Sequence, residues 1–384
     1  MKNVRLGDHD IAEVSAGQAA PQNPQSFGAS GYPYIRAGSL EHLCSGGATS
    51  ELEHIEPFVA KAHRLKLFPK DTVVFAKSGM SAKLGRVHRL QESAYVVSHL
   101  AAITPKAQLA AAYLSYFLEA NPPSRLIPNE AYPSIRLSEI ENITINLPPL
   151  AEQRRIAAIL DKADAIRRKR QQSLELADSL LKSVFLDMFG DPVTNPKGWG
   201  KLPLGCIGEL NRGVSKHRPR NDPKLLNGQH PLVQTGEVAN SNLYITEYTQ
   251  TYSDLGLKQS KMWPKNTLCI TIAANIAKTA MLGFDACFPD SVVGFLPNEK
   301  TNIFFVHYWF SFFQKILEAE APESAQKNIN LKILKELQVI YPPFALQQKF
   351  SDIVQNVESQ RVRLRVSLNE SSQIFKSLQQ SFFG

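Results

Sequence analysis

Asn121, Pro122, Pro123 and Ser124 come within one residue of the Asn-Pro-Pro-aromatic arrangement that clamps a flipped adenine for methyl transfer. The ring that would stack on the base is a serine here. Phe27, Gly28, Ala29, Ser30 and Gly31 resemble a loop for a methionine-derived cofactor, but the run follows Pro21, Gln22, Asn23 and Pro24 rather than a strand. Neither fragment supports methyl transfer by this chain. Asp290 follows a proline, yet no Glu-x-Lys comes after it at the spacing of a nuclease carboxylate cluster, so carboxylates there read as a solvated face. Cys44, Cys206, Cys269 and Cys287 form no Cys-x-x-Cys pair and have no histidine at zinc-ligand spacing. They read as reduced, mostly buried small residues. No catalytic residue, metal or cofactor is expected.

What remains is basic. With 43 Lys and Arg against 35 Asp and Glu, the net charge is +8. A polyanion suits such a surface, because neutralising phosphates releases condensed counterions. One concentrated cluster, Lys216, His217, Arg218, Pro219 and Arg220, fits a DNA-facing loop or a disordered tether. The apolar fraction of 43% and charged fraction of 20% are those of a soluble globular protein. No run is apolar enough to span a membrane and Met1 to Arg5 open no export signal, so a cytoplasmic protein is expected.

The elements that must position these residues come in duplicate. Leu147, Pro148, Pro149, Leu150, Ala151, Glu152, Gln153 recurs 194 residues later as Tyr341, Pro342, Pro343, Phe344, Ala345, Leu346, Gln347. Phe189-Gly190 meets Phe383-Gly384 at the same offset. Upstream, Ile135, Leu137, Ile140, Ile143 and Ile145 answer Ile329, Leu331, Leu334, Leu337 and Val339. Further back the offset drifts, as loop insertions would make it, and Phe68-Pro69-Lys70 pairs with Trp263-Pro264-Lys265.

After each Pro-Pro pair about forty residues run without proline or internal glycine, in a heptad-like pattern. Ile156, Leu160, Ala163, Arg167, Arg170, Leu174, Ala177, Leu181, Val184 and Met188 form one stripe. Phe350, Val354, Val357, Arg361, Leu364, Leu368, Ser371, Phe375, Leu378 and Phe382 form the other. A helix of roughly 60 Å with one apolar stripe needs a second long helix beside it, and the copy supplies one. An antiparallel pair, with the globular units at its opposite ends, is expected. The heptad arginines read as polar layers that fix register. The expected organisation is α+β: a globular domain over 1–146, a long helix over 147–190, a second domain over 191–340 and a second long helix over 341–384. Each domain mixes short strands with one amphipathic helix, near Leu109–Glu119 and Ile303–Glu318.

These features together resemble the specificity (S) subunits of type I restriction-modification systems. The resemblance rests on the Pro-Pro-Leu-Ala-Glu-Gln-Arg opening at 148–154 with its degenerate copy at 342–348, the Asp187-Met188-Phe189-Gly190-Asp191-Pro192 helix exit, the Asn328-Ile329-Asn330 run and the repeat. It covers essentially the whole chain. It implies two target recognition domains that each read half of a split site in double-stranded DNA. It also implies helices that dock methyltransferase subunits, with cleavage left to restriction subunits. In the second copy Leu346 stands in place of Glu152, so the two helices need not grip their partners equally.

By the same resemblance, DNA lies near the polar turns at Ala76–Arg86 and Thr271–Ala280. The first holds Lys77, Ser78, Lys83 and Arg86, and the second Asn275 and Lys278. Lysine is a point contact for phosphate, whereas Arg and Asn can make paired bonds to base edges. Arg86 and Asn275 are therefore the expected base readers, with Lys77, Lys83 and Lys278 on phosphate and Lys216, Arg218 and Arg220 as further DNA contacts. The rival to DNA reading is a coiled-coil scaffold whose globular ends bind proteins. Salt separates the two, because DNA binding weakens steeply with ionic strength.

Overall fold

Short apolar runs closed by glycine and proline give strands of two to seven residues here, while the proline-free stretches give helices of forty. The structure, a computed structural model, describes residues 2–273, 276–312 and 329–384. Contacts divide the chain into two units, residues 1–171 with 366–384 and residues 172–365.

The first unit contains β1 (Lys2–Arg5), β2 (Ala12–Ala16), β3 (Tyr32–Ile35), β4 (His54–Ile55), β5 (Leu67–Phe68), β6 (Val73–Ala76), β7 (Val87–Arg89), β8 (Ala94–Val96), β9 (Leu100–Pro105), α1 (Ala111–Ala120) and β10 (Thr144–Leu147). Two four-stranded sheets, in the orders β2-β9-β6-β7 and β4-β3-β8-β5, make its body, and the β1-β10 pair closes the domain start onto its end. The central strands explain why the run Val73-Val74-Phe75-Ala76 is apolar throughout. Successive side chains point to opposite faces. Val73, Phe75, Ala101 and Ile103 join the core under α1, while Val74, Ala76, Leu100 and Ala102 join the core shared with the other sheet.

The second unit repeats this plan. It begins in α2 (Leu150–Phe189), which enters it from the first unit, and continues through β11 (Lys201–Pro203), β12 (Gly208–Arg212), β13 (Leu226–Leu232), β14 (Tyr244–Ile245), β15 (Gln250–Tyr252), β16 (Met262–Trp263) and β17 (Leu268–Thr271). β18 (Thr279–Leu282), β19 (Ala286–Cys287), β20 (Val292–Pro297), α3 (Ile303–Phe310) and β21 (Gln338–Ile340) follow, and then α4 (Phe344–Phe383). The main sheet runs β12-β20-β17-β18-β14, the second β15-β13-β19-β16, and β11 pairs with β21. Leu268 and Ile270 face one core and Cys269 the other, as in the first copy. The helix expected over Ile303–Glu318 is present from Ile303 to Phe310, and its continuation from 313 lies outside the described residues.

Every position of the two heptad stripes is buried or half-buried. In the first unit Arg170 donates to the Ser367 carbonyl at 2.7 Å, and Ile156 and Leu160 share a core with Phe375. Rising numbers on α2 meet falling numbers on α4, so the pair is antiparallel. The second unit has the same sense, with Phe185 and Phe189 at 5.6 and 5.5 Å from the Phe350 ring and Leu181 in one core with Val354. Two of the heptad arginines pair along their own helices. Arg167 bonds Asp164 at 2.6 Å, and its copy Arg361, 3% exposed, bonds Glu358 at 2.6 Å.

The glutamine of each Pro-Pro motif joins helix to domain. Gln153, fully buried, accepts from the Ala110 amide at 2.8 Å and donates to the carbonyls of Gln108 and Pro148 at 2.9 and 2.8 Å. Gln347 repeats this with the Asn302 amide and the Pro342 carbonyl, both at 2.9 Å. Both of its ends are spent on backbone groups at the start of α1 or α3 and of α2 or α4, groups that burial would otherwise leave unpaired.

Candidate nucleic-acid interface

Sheet register gathers the basic residues. In the second unit Arg212 lies opposite Val293, Thr271 opposite Val292 and Ile270 opposite Thr279. The end of β12, the end of β17 and the starts of β18 and β20 therefore share one end of the sheet. Residues 213–222, 272–273, 276–278 and 288–291 emerge there, carrying Lys216, Arg218, Arg220, Lys278 and Asp290. The first unit does the same, with Ala16 opposite Ala101, Ala76 opposite Leu100 and Phe75 opposite Val87. Lys77, Ser78, Lys83 and Arg86 leave from that end beside His99.

In the first unit the turn after β6 is firmly built. The Lys77 amide donates to the His99 carbonyl at 2.9 Å, the Lys77 carbonyl accepts from Ile135 at 2.7 Å, and Ser78 Oγ bonds His99 Nδ1 at 2.9 Å. Gly79 holds φ +79° while donating to Pro133 at 3.0 Å, a conformation that suits glycine. Lys83 reaches Glu130 at 3.4 Å, and Arg86 pairs with Glu41 at 3.2 Å. Met80, Leu84 and Tyr132 stand 69%, 57% and 82% exposed on the same two segments.

In the second unit Lys278 is pinned by its backbone to Thr271, and its side chain lines a cleft of about 580 Å³ with Lys182, Asn242, Thr279 and His307. Asn275 lies outside the described residues. The 216–220 loop is not a loose tether. Gln259 Oε1 accepts from the amides of Lys216 and His217 at 2.7 and 3.0 Å, and Arg218 Nη1 donates to the carbonyls of Ser215 and His217 at 2.6 and 2.8 Å. Nor is Asp290 simply a solvated carboxylate. Arg218 and Arg220 both reach its side chain, and Arg212 Nε donates to its carbonyl at 2.9 Å.

Electrostatics differ between the copies. In the first unit a cleft of about 780 Å³ is lined by Glu119, Asp161, Asp164, Arg167 and Arg168. Glu119 is open to the water of that cleft but crowded by protein elsewhere, and it is pushed up to about 7 by burial first and Asp164 second. In the second unit burial, with Lys182 nearby, presses His307 down to about 4, and its Nδ1 bonds Thr279 Oγ1 at 3.0 Å. A histidine held neutral in the fold contributes stability above its unfolded value of about 6.5, lost as pH falls toward the folded value. Between pH 7 and 5 the second unit should lose about 2 kcal/mol through this group. Urea unfolding of His307→Asn, which cannot take up that proton, should lack this part of the pH dependence.

The two enzyme-like fragments have structural work. The Asn121 amide donates to the Phe117 carbonyl at 2.9 Å and ends α1, and Phe27 packs edge-on to Tyr34 at 5.4 Å with Arg36 over its face at 4.7 Å. Among the four free cysteines, Cys269 and Cys287 are buried, Cys44 is half-buried and Cys206 is exposed.

Residues 1–176 and 196–370 match the family described as type I restriction modification DNA specificity domain. The chain belongs to that family. Specificity subunits are its members, and they are non-catalytic. The MjaIX type I restriction enzyme specificity subunit of Methanocaldococcus jannaschii is 22% identical over 374 residues, covering 90% of this chain and 84% of that protein. The MjaX specificity subunit of the same organism is 23% identical over 261 residues, which span 64% of this chain and 58% of that protein. Among solved structures, the type I restriction-modification S subunit from M. genitalium has a TM-score of 0.60 at 14% identity, covering 100% of this chain and 96% of that one. A chain from a study of complex assembly and conformational transition in a type I system gives 0.57 at 16%, covering 100% and 97%. These likenesses show the specificity-subunit fold. Among the described residues no helix is long and apolar enough to cross a membrane.

Arg212, His99 and Asp290 went unsingled in the sequence as members of this interface. A strand-end rule would have found them: Arg212 ends β12, His99 immediately precedes β9, and Asp290 stands two residues before β20.

Proposed function

We propose that this specificity subunit reads a bipartite site in double-stranded DNA, one half with residues 1–146 and the other with residues 191–340, and that it does so in the cytoplasm. The observation that carries this is the gathering of basic loops at the same end of the main sheet in both copies. Lys77, Lys83, Lys216 and Lys278 contact phosphates. Arg86 and Asn275 read bases, Arg218 and Arg220 reach the duplex from the loop after β12, and Ser78 supports the first turn.

Methyltransferase subunits dock on the long helices, residues 147–190 and 341–384, and restriction subunits join through them. Exposed apolar side chains on each helix pair support that docking: Ile166, Val366 and Ile374 in the first unit, and Leu176, Leu180 and Val362 in the second, all at least 49% exposed. Water-facing side chains of this size, repeated along a helix pair, suit a protein partner.

Charge reversal at Lys278 tests the DNA reading. Lys278→Glu should weaken binding to every duplex, cognate or not, and lower the slope of log affinity against log salt by about 1. Fluorescence anisotropy over a salt series measures both. Wild-type binding that ignores salt would favour protein-binding ends instead.

A further inference from the structure

We propose that Asp290 is a positioning residue for sequence reading by the second recognition domain: it holds the guanidinium groups of Arg218 and Arg220 in fixed orientation at the DNA-facing end of the sheet. This rests on the DNA reading above. The geometry is a single carboxylate serving two forks, with Oδ2 at 3.4 Å from Arg218 Nη2 and Oδ1 bonded to Arg220 Nη2. The backbone of Asp290 is itself held, since its carbonyl accepts from Arg212 Nε at 2.9 Å.

The two arginines are not equivalent. Arg218 spends Nη1 on the Ser215 and His217 carbonyls as well as Nη2 on Asp290, so it is an anchor. Arg220 is bonded only to Asp290 among the described residues and remains 47% exposed, which leaves its other donors for an incoming acceptor. An arginine reads a base edge with two donors in one plane, so a fork already oriented loses less freedom on binding than a loose one. Exposed ion pairs add little to stability, because water competes and long side chains must be ordered. Holding three cations, Arg212, Arg218 and Arg220, around Asp290 also leaves a positive excess that a phosphate backbone would meet. The cluster therefore makes sense as orientation rather than as a staple for the fold.

Two effects of opposite sign follow for Asp290→Asn. Removing a negative charge from a DNA-facing surface should leave binding to unrelated duplex unchanged or stronger. Freeing the two forks should reduce discrimination in one half-site by about tenfold or more. The full chain, expressed with its methyltransferase subunit, would be bound to a randomised duplex library, and the bound fraction sequenced. Affinity for one fixed unrelated duplex and the unfolding midpoint would be measured alongside. The expected result is weakened preference in one half of the recovered site, an intact other half, undiminished unrelated-duplex binding and an unchanged midpoint. Asp290→Glu, which keeps the charge, should restore part of the preference. Wild-type preference in both halves for Asp290→Asn, or an equal loss on library and unrelated duplex, would overturn the proposal. A wild-type chain without preference in either half would take down the DNA reading itself, and this proposal with it.

Discussion

Replacing residues 191–340 by the corresponding segment of another specificity subunit should change one half of the methylated sequence and leave the other half intact. The boundaries suit such an exchange. Lys201 to Pro203 pairs with Ile340 to Gln338, so the segment closes on itself at its two ends. Before it, Gly190 sits at φ +78°, where any side chain would be strained and a Cβ would lie 2.8 Å from Pro196, so the exit turn keeps its glycine. Inside the segment, two clusters around Trp263 and Tyr252 owe nothing to the long helices. The loops that emerge at the sheet end travel with the graft. Methylated positions in DNA from cells carrying the hybrid and its methyltransferase subunit would be sequenced. A change in both halves would mean that the two domains do not read independently.

The graft must also match its seat, and that seat gives the largest expected loss of stability. Phe185→Ala should cost about 3–5 kcal/mol, the range for removing a buried phenyl ring. Phe185 is fully buried in the second unit, with ring centroids of Phe189, Phe305, Phe312 and Phe350 at 4.9, 5.6, 5.5 and 5.6 Å. It touches α3 and both long helices, so no single element can move into the space it leaves. The next residue, Leu186, is 38% exposed, and Leu186→Ala should stay within about 0.5 kcal/mol. Urea unfolding of the two variants against wild type measures the contrast. Equal small losses would mean that the aromatic cluster is not what seats the domain.

What could be read from the sequence was what repeats at short range. The heptad stripes needed only the spacing of apolar residues along one helix, and burial of Ile156, Leu160, Phe350 and Val354 follows from it. The duplicated Pro-Pro motif was visible, but not why its glutamine belongs there, because Gln153 meets the Ala110 amide 43 residues away and Gln347 meets Asn302 45 residues away. Strand order was equally out of reach: pieces as short as His54–Ile55 and Ala286–Cys287 find their partners through the sheet as a whole. At the interface, the basic character of 216–220 was legible. Its anchor was not, because Asp290 lies 70 residues from Arg220 in the chain and acts only after β12 and β20 have paired.

The strands that launch the loops are buried on both faces, Val73 and Phe75 against one core, Val74 and Ala76 against another. Folding is thereby decided behind the sheet end and chemistry in front of it. A substitution at an exposed loop position such as Met80 or Lys278 meets water rather than either core, so it can alter what is bound at little cost to the fold, whereas a change at Ala76 or Ala82, both buried, disturbs packing. On the DNA reading proposed above, such a division lets new specificities arise by drift in a handful of exposed loop residues, with the sheets inherited unchanged.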